Sequence, residues 1–437
     1  MKKAFLFLLT VSVTLRAATA QGFDPFLAAQ LQNDLDSFQS AYSLKGISAC
    51  VIYPGMGTWN GVTGISHPGA PITPDMEFAI ASNTKLFTGV LVLKLVDSGL
   101  LQLDDSLYQY LPSFNNIDSN ITIRQLLNHT SGLDDVTSVP GYPDSILNDP
   151  NRIYTAIELM TWAGPPLFAP GTDWSYCNTN YLLAALIAES VTGQSYGRLL
   201  RDSILTPLQL DSTFLDVYDS VLYAVAHPWQ GGMDFVSTPR VSLNSAAGAA
   251  GAMYSTAGEM AQWYQALMNG QVLSAGSFQE MTTFVGSGNY GVGISEANFF
   301  GRTVWQHGGN IWGGYNSSMM YDTTSGIIIA VFINQLPAQA FMIARQLLFT
   351  LAANPLGVNE NTLDHSPVVI FPNPATDLVT INLPSSSVRN VKVFRPSGEL
   401  LQEHTATHFS ISTLGSGMYV VAVTTESGPR FYKLLKQ

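Results

Sequence analysis

The sequence predicts an α/β unit, with an antiparallel sheet flanked by helices and an inserted, mostly helical lobe, followed by a small all-β sandwich. Three observations predict this. Strand-like runs occur near both ends of the first 350 residues, with helical patterns between them. A Pro-containing stretch of weak periodicity follows. Beyond it come short β-branched runs separated by turns.

Taken in order, Met1-Lys2-Lys3, the apolar run Ala4 to Leu15 and Ala18-Thr19-Ala20 read as a secretory signal peptide, residues 1–20. That run is too short to span a membrane, and no later stretch of about twenty apolar residues occurs. Removing Lys2, Lys3 and Arg16 leaves 16 cationic against 31 acidic side chains, a net charge of −15. Such a surface repels nucleic acid and anionic lipid, which excludes both as partners.

Leu27, Leu31, Leu35, Phe38 and Tyr42 recur at helical spacing. Ile47 to Tyr53 and Trp59 to Gly64 are strands flanking a turn at Pro54 to Gly57. Leu86 to Val96 is apolar on nearly every face, the pattern of a helix buried all round. Helical patterns follow at Ile123–Leu127, Ile153–Trp162 and Tyr181–Val191. Strands return at Tyr290–Ile294, Arg302–Gln306, Ser317–Tyr321 and Ile327–Ile333, and a helix at Ala338–Ala352 closes the unit. The unit spans 21–353, with a linker at 354–366. The sandwich spans 367–437, with strands at Leu378–Leu383, Val391–Phe394, Met418–Val423 and Phe431–Leu435. A cleft between sheet and helical lobe is the default place for a site.

The chemistry centres on Ser82-Asn83-Thr84-Lys85, which sets a hydroxyl and an amine one helical turn apart. A serine hydroxyl needs a neighbouring base before it attacks a carbonyl. Burial and a helix N-terminus both disfavour an ammonium, so Lys85 can serve as that base. Read alone, the pair is also consistent with an N-cap serine and a snorkelling surface lysine. Tyr176-Cys177-Asn178 ends a loop before a helix, and His307-Gly308-Gly309 follows a strand, with glycines that permit close backbone approach to a ligand. Neither Cys50 nor Cys177 is tied to a partner by its spacing, and both are read as free thiols. The seven histidines show no metal-ligand spacing, so neither metal nor cofactor is implied. Gly193-Gln194-Ser195-Tyr196-Gly197 matches a nucleophile elbow, but that elbow requires a strand before its serine, and a helix is predicted there.

In their order and separations the three motifs resemble the serine hydrolases of the β-lactamase and penicillin-binding-protein superfamily, in the branch of class C β-lactamases, D,D-carboxypeptidases and family VIII esterases. Ile121 to Leu133, Ile204 to Phe214 and Ala247 to Trp263 resemble further segments of it. The resemblance implies the DD-peptidase/β-lactamase fold and an acyl-enzyme on Ser82. It makes Lys85 the proton acceptor and Tyr176 the group that protonates the leaving atom and later activates water. Asn178 would hold the acyl side, the N–H groups of Ser82 and Asn310 would form the oxyanion hole, and His307 and Gly309 would complete the third motif.

Two departures stand out: His307 where many relatives carry lysine, and Cys177 where serine is commoner. The first places β-lactam carboxylate recognition in doubt. The implied function is an ester- or amide-cleaving hydrolase, an esterase or D-stereospecific peptidase acting on a small molecule or peptide. The alternatives are a class C-like β-lactamase and a penicillin-binding sensor that is acylated without turnover.

Phe371 to Asp377, Val391 to Phe394, Gly417 to Val423 and Tyr432 to Lys436 resemble the C-terminal type A sorting domain of the type IX secretion system of Bacteroidota. That implies the type IX machinery as partner and delivery, via the periplasm, to the cell surface or exterior of a Gram-negative cell. A surface-adhesive β-module is the other reading of the same segment.

Overall fold

The computed structural model describes residues 22–353 apart from 222 and 238, and residues 369–437 apart from 383–387, 396–398 and 426–427. The predicted signal peptide and linker fall outside these residues. Among those described, no helix is long and apolar enough to cross a membrane.

The first helix, α1 (Pro25–Ala41), starts where Asp24 accepts a hydrogen bond from the Leu27 N–H at 2.7 Å, with Pro25 in the first turn. A seven-stranded sheet comprises β1 (Gly46–Tyr53), β2 (Gly57–His67), β3 (Ala70–Pro71), β4 (Ser295–Phe299), β5 (Arg302–Ile311), β6 (Tyr315–Asp322) and β7 (Ile328–Ile333). Their order is β3-β2-β1-β7-β6-β5-β4, antiparallel throughout, with Cys50 opposite Ala330 where the two ends of the unit meet. The sheet is therefore assembled from distant parts of the chain, as its sequence pattern predicts.

Both faces of β1 are covered, and its period of two sorts the side chains between them. Ile47, Ala49 and Val51 join Leu27, Leu31 and Leu35 of α1 and Ile343, Leu347 and Leu351 of α7 (Ala340–Ala353) in one core. Cys50 and Ile52 face the larger core under the helical lobe. At the centre of that core is α2 (Thr84–Asp97), in which eleven of fourteen residues are buried. Phe87 stacks on Trp263 with centroids 4.5 Å apart. The lobe also contains α3 (Asn178–Thr192), α4 (Tyr196–Leu200), α5 (Arg240–Gly251) and α6 (Ala257–Met268).

Three expectations need correction. Tyr290–Ile294 is not a strand; the strand begins at Ser295, because Tyr290 turns inward to bond His307. The helix sought over Ile153–Trp162 is confined to Ala156–Met160, capped by Thr155. The third motif does not follow a strand but lies within one, since β5 continues to Ile311.

The C-terminal unit has two antiparallel sheets. One joins β8 (Val369–Phe371), β9 (Leu378–Asn382) and β12 (His408–Ser410); the other joins β10 (Asn390–Phe394), β11 (Leu400–His404), β13 (Gly417–Thr425) and β14 (Gly428–Lys436). Val379, Ile381, Val391, Val393, Phe409 and Val421 meet between them, giving the small sandwich.

Candidate active site

Ser82 sits in a 3-10 turn, Ala81–Asn83, that runs straight into α2. Ala81 has φ +49°, a left-handed conformation that costs a non-glycine residue of order 1–3 kcal/mol and persists only where neighbours enforce it. Here they do. The Ile80 N–H donates to the Met253 carbonyl at 2.9 Å. The Ile80 carbonyl accepts from Ser317 Oγ at 2.7 Å, and Ser317 in turn accepts from Asn83 Nδ2 at 2.8 Å. β5 presses on the same turn through Gly309, where a Cβ would lie 2.2 Å from both the Ile80 oxygen and Ser317 Oγ. Gly309 thus allows β5 and the Ser82 turn to touch, a packing role.

Lys85 is wholly buried, not a snorkelling surface residue. Its Nζ lies 3.1 Å from Ser82 Oγ, 2.6 Å from Asn178 Oδ1 and 2.8 Å from the Ala250 carbonyl. The Asn178 amide is oriented by its other end, since Nδ2 donates to Asp135 at 3.0 Å and Thr137 at 2.9 Å. Its Oδ1 therefore faces the lysine as a fixed acceptor. Burial lowers the Lys85 pKa to about 7, outweighing the attraction of Asp135. A neutral amine here donates its two N–H bonds to Asn178 and Ala250 and keeps its lone pair for the Ser82 hydroxyl.

The Ala250 carbonyl is available because α5 breaks at Gly248 (φ 43°, ψ −132°). Beyond the break the Ala249 oxygen accepts from Thr88 at 2.6 Å and that of Ala250 from Lys85. No sequence motif marks this carbonyl as part of the site. The signal open to inspection is the small-residue run from Ala246 to Gly251.

The Tyr176 ring packs 4.8 Å from Lys85 Nζ and 4.5 Å from the His129 ring. Burial holds its phenol well above the usual range, against the pull of a hydrogen bond with Ser82, so it is a neutral proton donor. His129, buried at φ +64°, receives the Cys177 backbone N–H on Nδ1 at 3.2 Å and fixes the Tyr176-Cys177 segment. Burial, together with the charge of Lys85, keeps it neutral.

His307 is 7% exposed, with Nδ1 2.6 Å from the Gly308 carbonyl and Nε2 2.8 Å from the Tyr290 hydroxyl. A carbonyl only accepts, so Nδ1 carries the proton and Nε2 accepts from Tyr290. Burial and Lys85 lower its pKa to about 3, leaving an uncharged imidazole beside Tyr176, ring centroids 6.3 Å apart. Tyr290, which sequence reasoning placed in a strand, donates to the nitrogen that this tautomer leaves as the acceptor.

These groups adjoin a cavity of about 200 Å³ lined by Ser82, Asn178, Thr137, Tyr142, Asn310 and Trp312, among others. Ser82, Asn178 and Asn310 thus converge on one space, with Lys85 and Tyr176 around Ser82. Lys85, Tyr176, His307 and Gly309 do not line it. Cys177 is buried, its thiol pushed up to about 12 by burial, and it is unpaired, as is Cys50. Ser195 precedes α4 and follows α3, a helix, so it lacks the strand an elbow needs. Among the described residues no cluster of three or more metal-ligating side chains occurs.

Residues 27–352 match the family described as Beta-lactamase. The chain belongs to the beta-lactamase family. Residues 369–437 match the secretion system C-terminal sorting domain. Protein flp of Staphylococcus aureus is 38% identical over 179 residues, 39% of this chain. That alignment spans 35% of the relative, about a third of its length. Among solved structures, a D-stereospecific amidohydrolase from a Streptomyces species is 30% identical with TM-score 0.62, covering 71% of this chain and 94% of its own. A D-amino acid amidase from Ochrobactrum anthropi SV3 is 26% identical with TM-score 0.67, covering 75% and 98%.

Proposed function

We propose that this chain is an exported serine hydrolase that opens an ester or a D-configured amide through an acyl-enzyme on Ser82. The observation that carries this reading is the Lys85 nitrogen, whose two fixed acceptors direct its lone pair at Ser82 Oγ. In the first half-reaction Lys85 takes the Ser82 proton as Oγ bonds to the carbonyl carbon. The N–H groups of Ser82 and Asn310 receive the oxyanion. Tyr176 gives its proton to the leaving oxygen or nitrogen and is reprotonated through Lys85, which balances the step. Water then attacks the acyl carbon while Lys85 takes up its proton, relayed through the Tyr176 hydroxyl; the bond to Ser82 Oγ breaks, that proton passes to Oγ, and the acid leaves with Ser82 and Lys85 as they began.

The D-configured amide comes from the names of the two structural relatives, and the ester from the uncharged third motif. With His307 neutral, no fixed cation at that position awaits a substrate carboxylate. A panel of p-nitrophenyl acetate, D- and L-amino acid p-nitroanilides and nitrocefin tests this. The ester or the D-anilide should lead, with nitrocefin roughly 10- to 100-fold lower in kcat/KM, the weight of one missing charge-assisted contact. Nitrocefin hydrolysis equal to the best ester would favour the β-lactamase reading. Labelling of Ser82 by penicillin without turnover of any substrate would favour the sensor.

We further propose that the sorting tail delivers the hydrolase across the outer membrane by the type IX route, the unit 21–353 carrying the chemistry and 367–437 the address. An inert reporter joined to residues 1–20 and 367–437 should then leave a type IX-competent cell. A reporter retained in the periplasm would return the tail to the adhesive reading.

A further inference from the structure

The hydrolase unit and the C-terminal sandwich meet at the tip of the β4–β5 hairpin. Phe299 pairs with Arg302, so Phe300 and Gly301 alone form the loop, with φ +55° and +76°. Positive φ at both loop positions is the type I′ turn, which favours Asn or Gly where Phe300 stands. A bulky side chain at such a φ carries a backbone cost and persists only where its surroundings enforce it. A hairpin tip open to water would not.

The surroundings that do so come from both units. Phe300 is 5% exposed and packs with Phe349 and Ala352 of α7, and with Phe394 of β10 and Val420 and Ala422 of β13. Its ring centroid lies 5.5 Å from that of Phe349 and, edge to face, 6.4 Å from that of Phe394. Arg345 of α7 supports the same tip, with its guanidinium 4.5 Å over the Phe299 ring. On the side of the sandwich, Tyr419, Val421 and Val423 of β13 face its core, so Val420 and Ala422 point out of it. An outer sheet face that met water would place polar residues at those positions. Val420, Ala422 and Phe394 are instead buried, each as fully as Phe300. Each unit thus presents apolar groups that the other covers.

We infer that the C-terminal unit is a fitted partner of its own hydrolase, seated on the β4–β5 tip through the outer face of its four-stranded sheet. That face is closed in the folded chain. A further partner of the tail meets the three-stranded sheet instead, whose outer face carries the exposed Phe371 and Leu378. The inference is independent of the chemistry at Ser82.

Hydrogen exchange on the full chain tests it, because a substitution in one unit is read in the other. Val420→Asp should speed exchange of the amides at 298–302 and 345–353 by about 10-fold or more, while Val379 to Ile381 in the tail core stay protected. On an uncovered sheet face the same change would be close to neutral. Phe300→Asn should lower the unfolding midpoint and speed exchange in β13, although Asn suits the turn better than Phe. Should Val420→Asp open the tail core, Phe300→Ala and Val420→Ala take its place, and their combined effect on the midpoint should be smaller than the sum of the two. Unchanged exchange at 298–302 beside a folded Val420→Asp tail overturns the docking. So does a higher midpoint in Phe300→Asn, or additive effects of the two Ala variants.

Discussion

Ser82→Ala is expected to abolish hydrolysis of whichever substrate the wild type turns over best, with kcat falling by at least about 10⁴-fold. The magnitude follows from the absence of a substitute at the site. Cys177 is buried with its thiol held protonated, and Ser195 stands at the N-terminal end of a helix and does not line the Ser82 cavity. Removing one hydroxyl leaves Lys85 two of its three partners, and the turn's restraints through Ile80, Asn83 and Gly309 involve no atom of the Ser82 side chain. Thermal unfolding should therefore shift little, by what the two hydrogen bonds to Lys85 and Tyr176 contribute, about 1–2 kcal/mol. A fluorophosphonate probe should mark Ser82 in the wild type and nothing in the variant. Retained turnover, or a label on Ser195 in the wild type, would overturn the assignment of the nucleophile.

The parts of this architecture that the sequence showed are those where local pattern and tertiary environment agree. β1 and β7 are continuous apolar runs because both faces are covered, and α2 is apolar all round because it lies at the centre of the lobe. Ser82 and Lys85 were legible because their contact spans a single turn. The failures fall where a distant partner decides. Tyr290 has the neighbours of a strand residue, yet His307 draws its hydroxyl inward and the strand starts five positions later. β11 reads Leu400-Leu401-Gln402-Glu403-His404, an edge strand with Leu400 exposed and with half-buried Gln402 and His404, the latter stacked on Phe409, so no hydrophobic alternation announces it. The Ala250 carbonyl and the His129 imidazole belong to the site through bonds to residues 165 and 48 positions away in sequence, which no local pattern specifies. The His307 substitution could be seen in sequence, but its neutrality could not, because it depends on burial and on the nearby Lys85.

Lys85→Ala is the second large effect, and its pH dependence separates a base from a structural lysine. As the general base, Lys85 works only when neutral. Its pKa is lowered to about 7, so kcat/KM should rise with pH through about 7 and level off above it. Replacing it should reduce kcat by about two to four orders of magnitude and remove that rise, since neither His129 nor His307 titrates in this range. Tyr176→Phe should lower kcat to a similar extent yet retain the rise, because the phenol stays protonated across the whole interval. The Ala variant also leaves Asn178 Oδ1 and the Ala250 carbonyl without their buried donor, at a cost of about 1–3 kcal/mol each, so its unfolding temperature should drop. Added small primary amines then provide the control. An amine that enters the vacated space should restore part of kcat in Lys85→Ala and none in Ser82→Ala. A Lys85→Ala protein that stays folded and keeps both full activity and the pH-dependent rise would remove Lys85 from the proton path and leave Ser82 in need of another base.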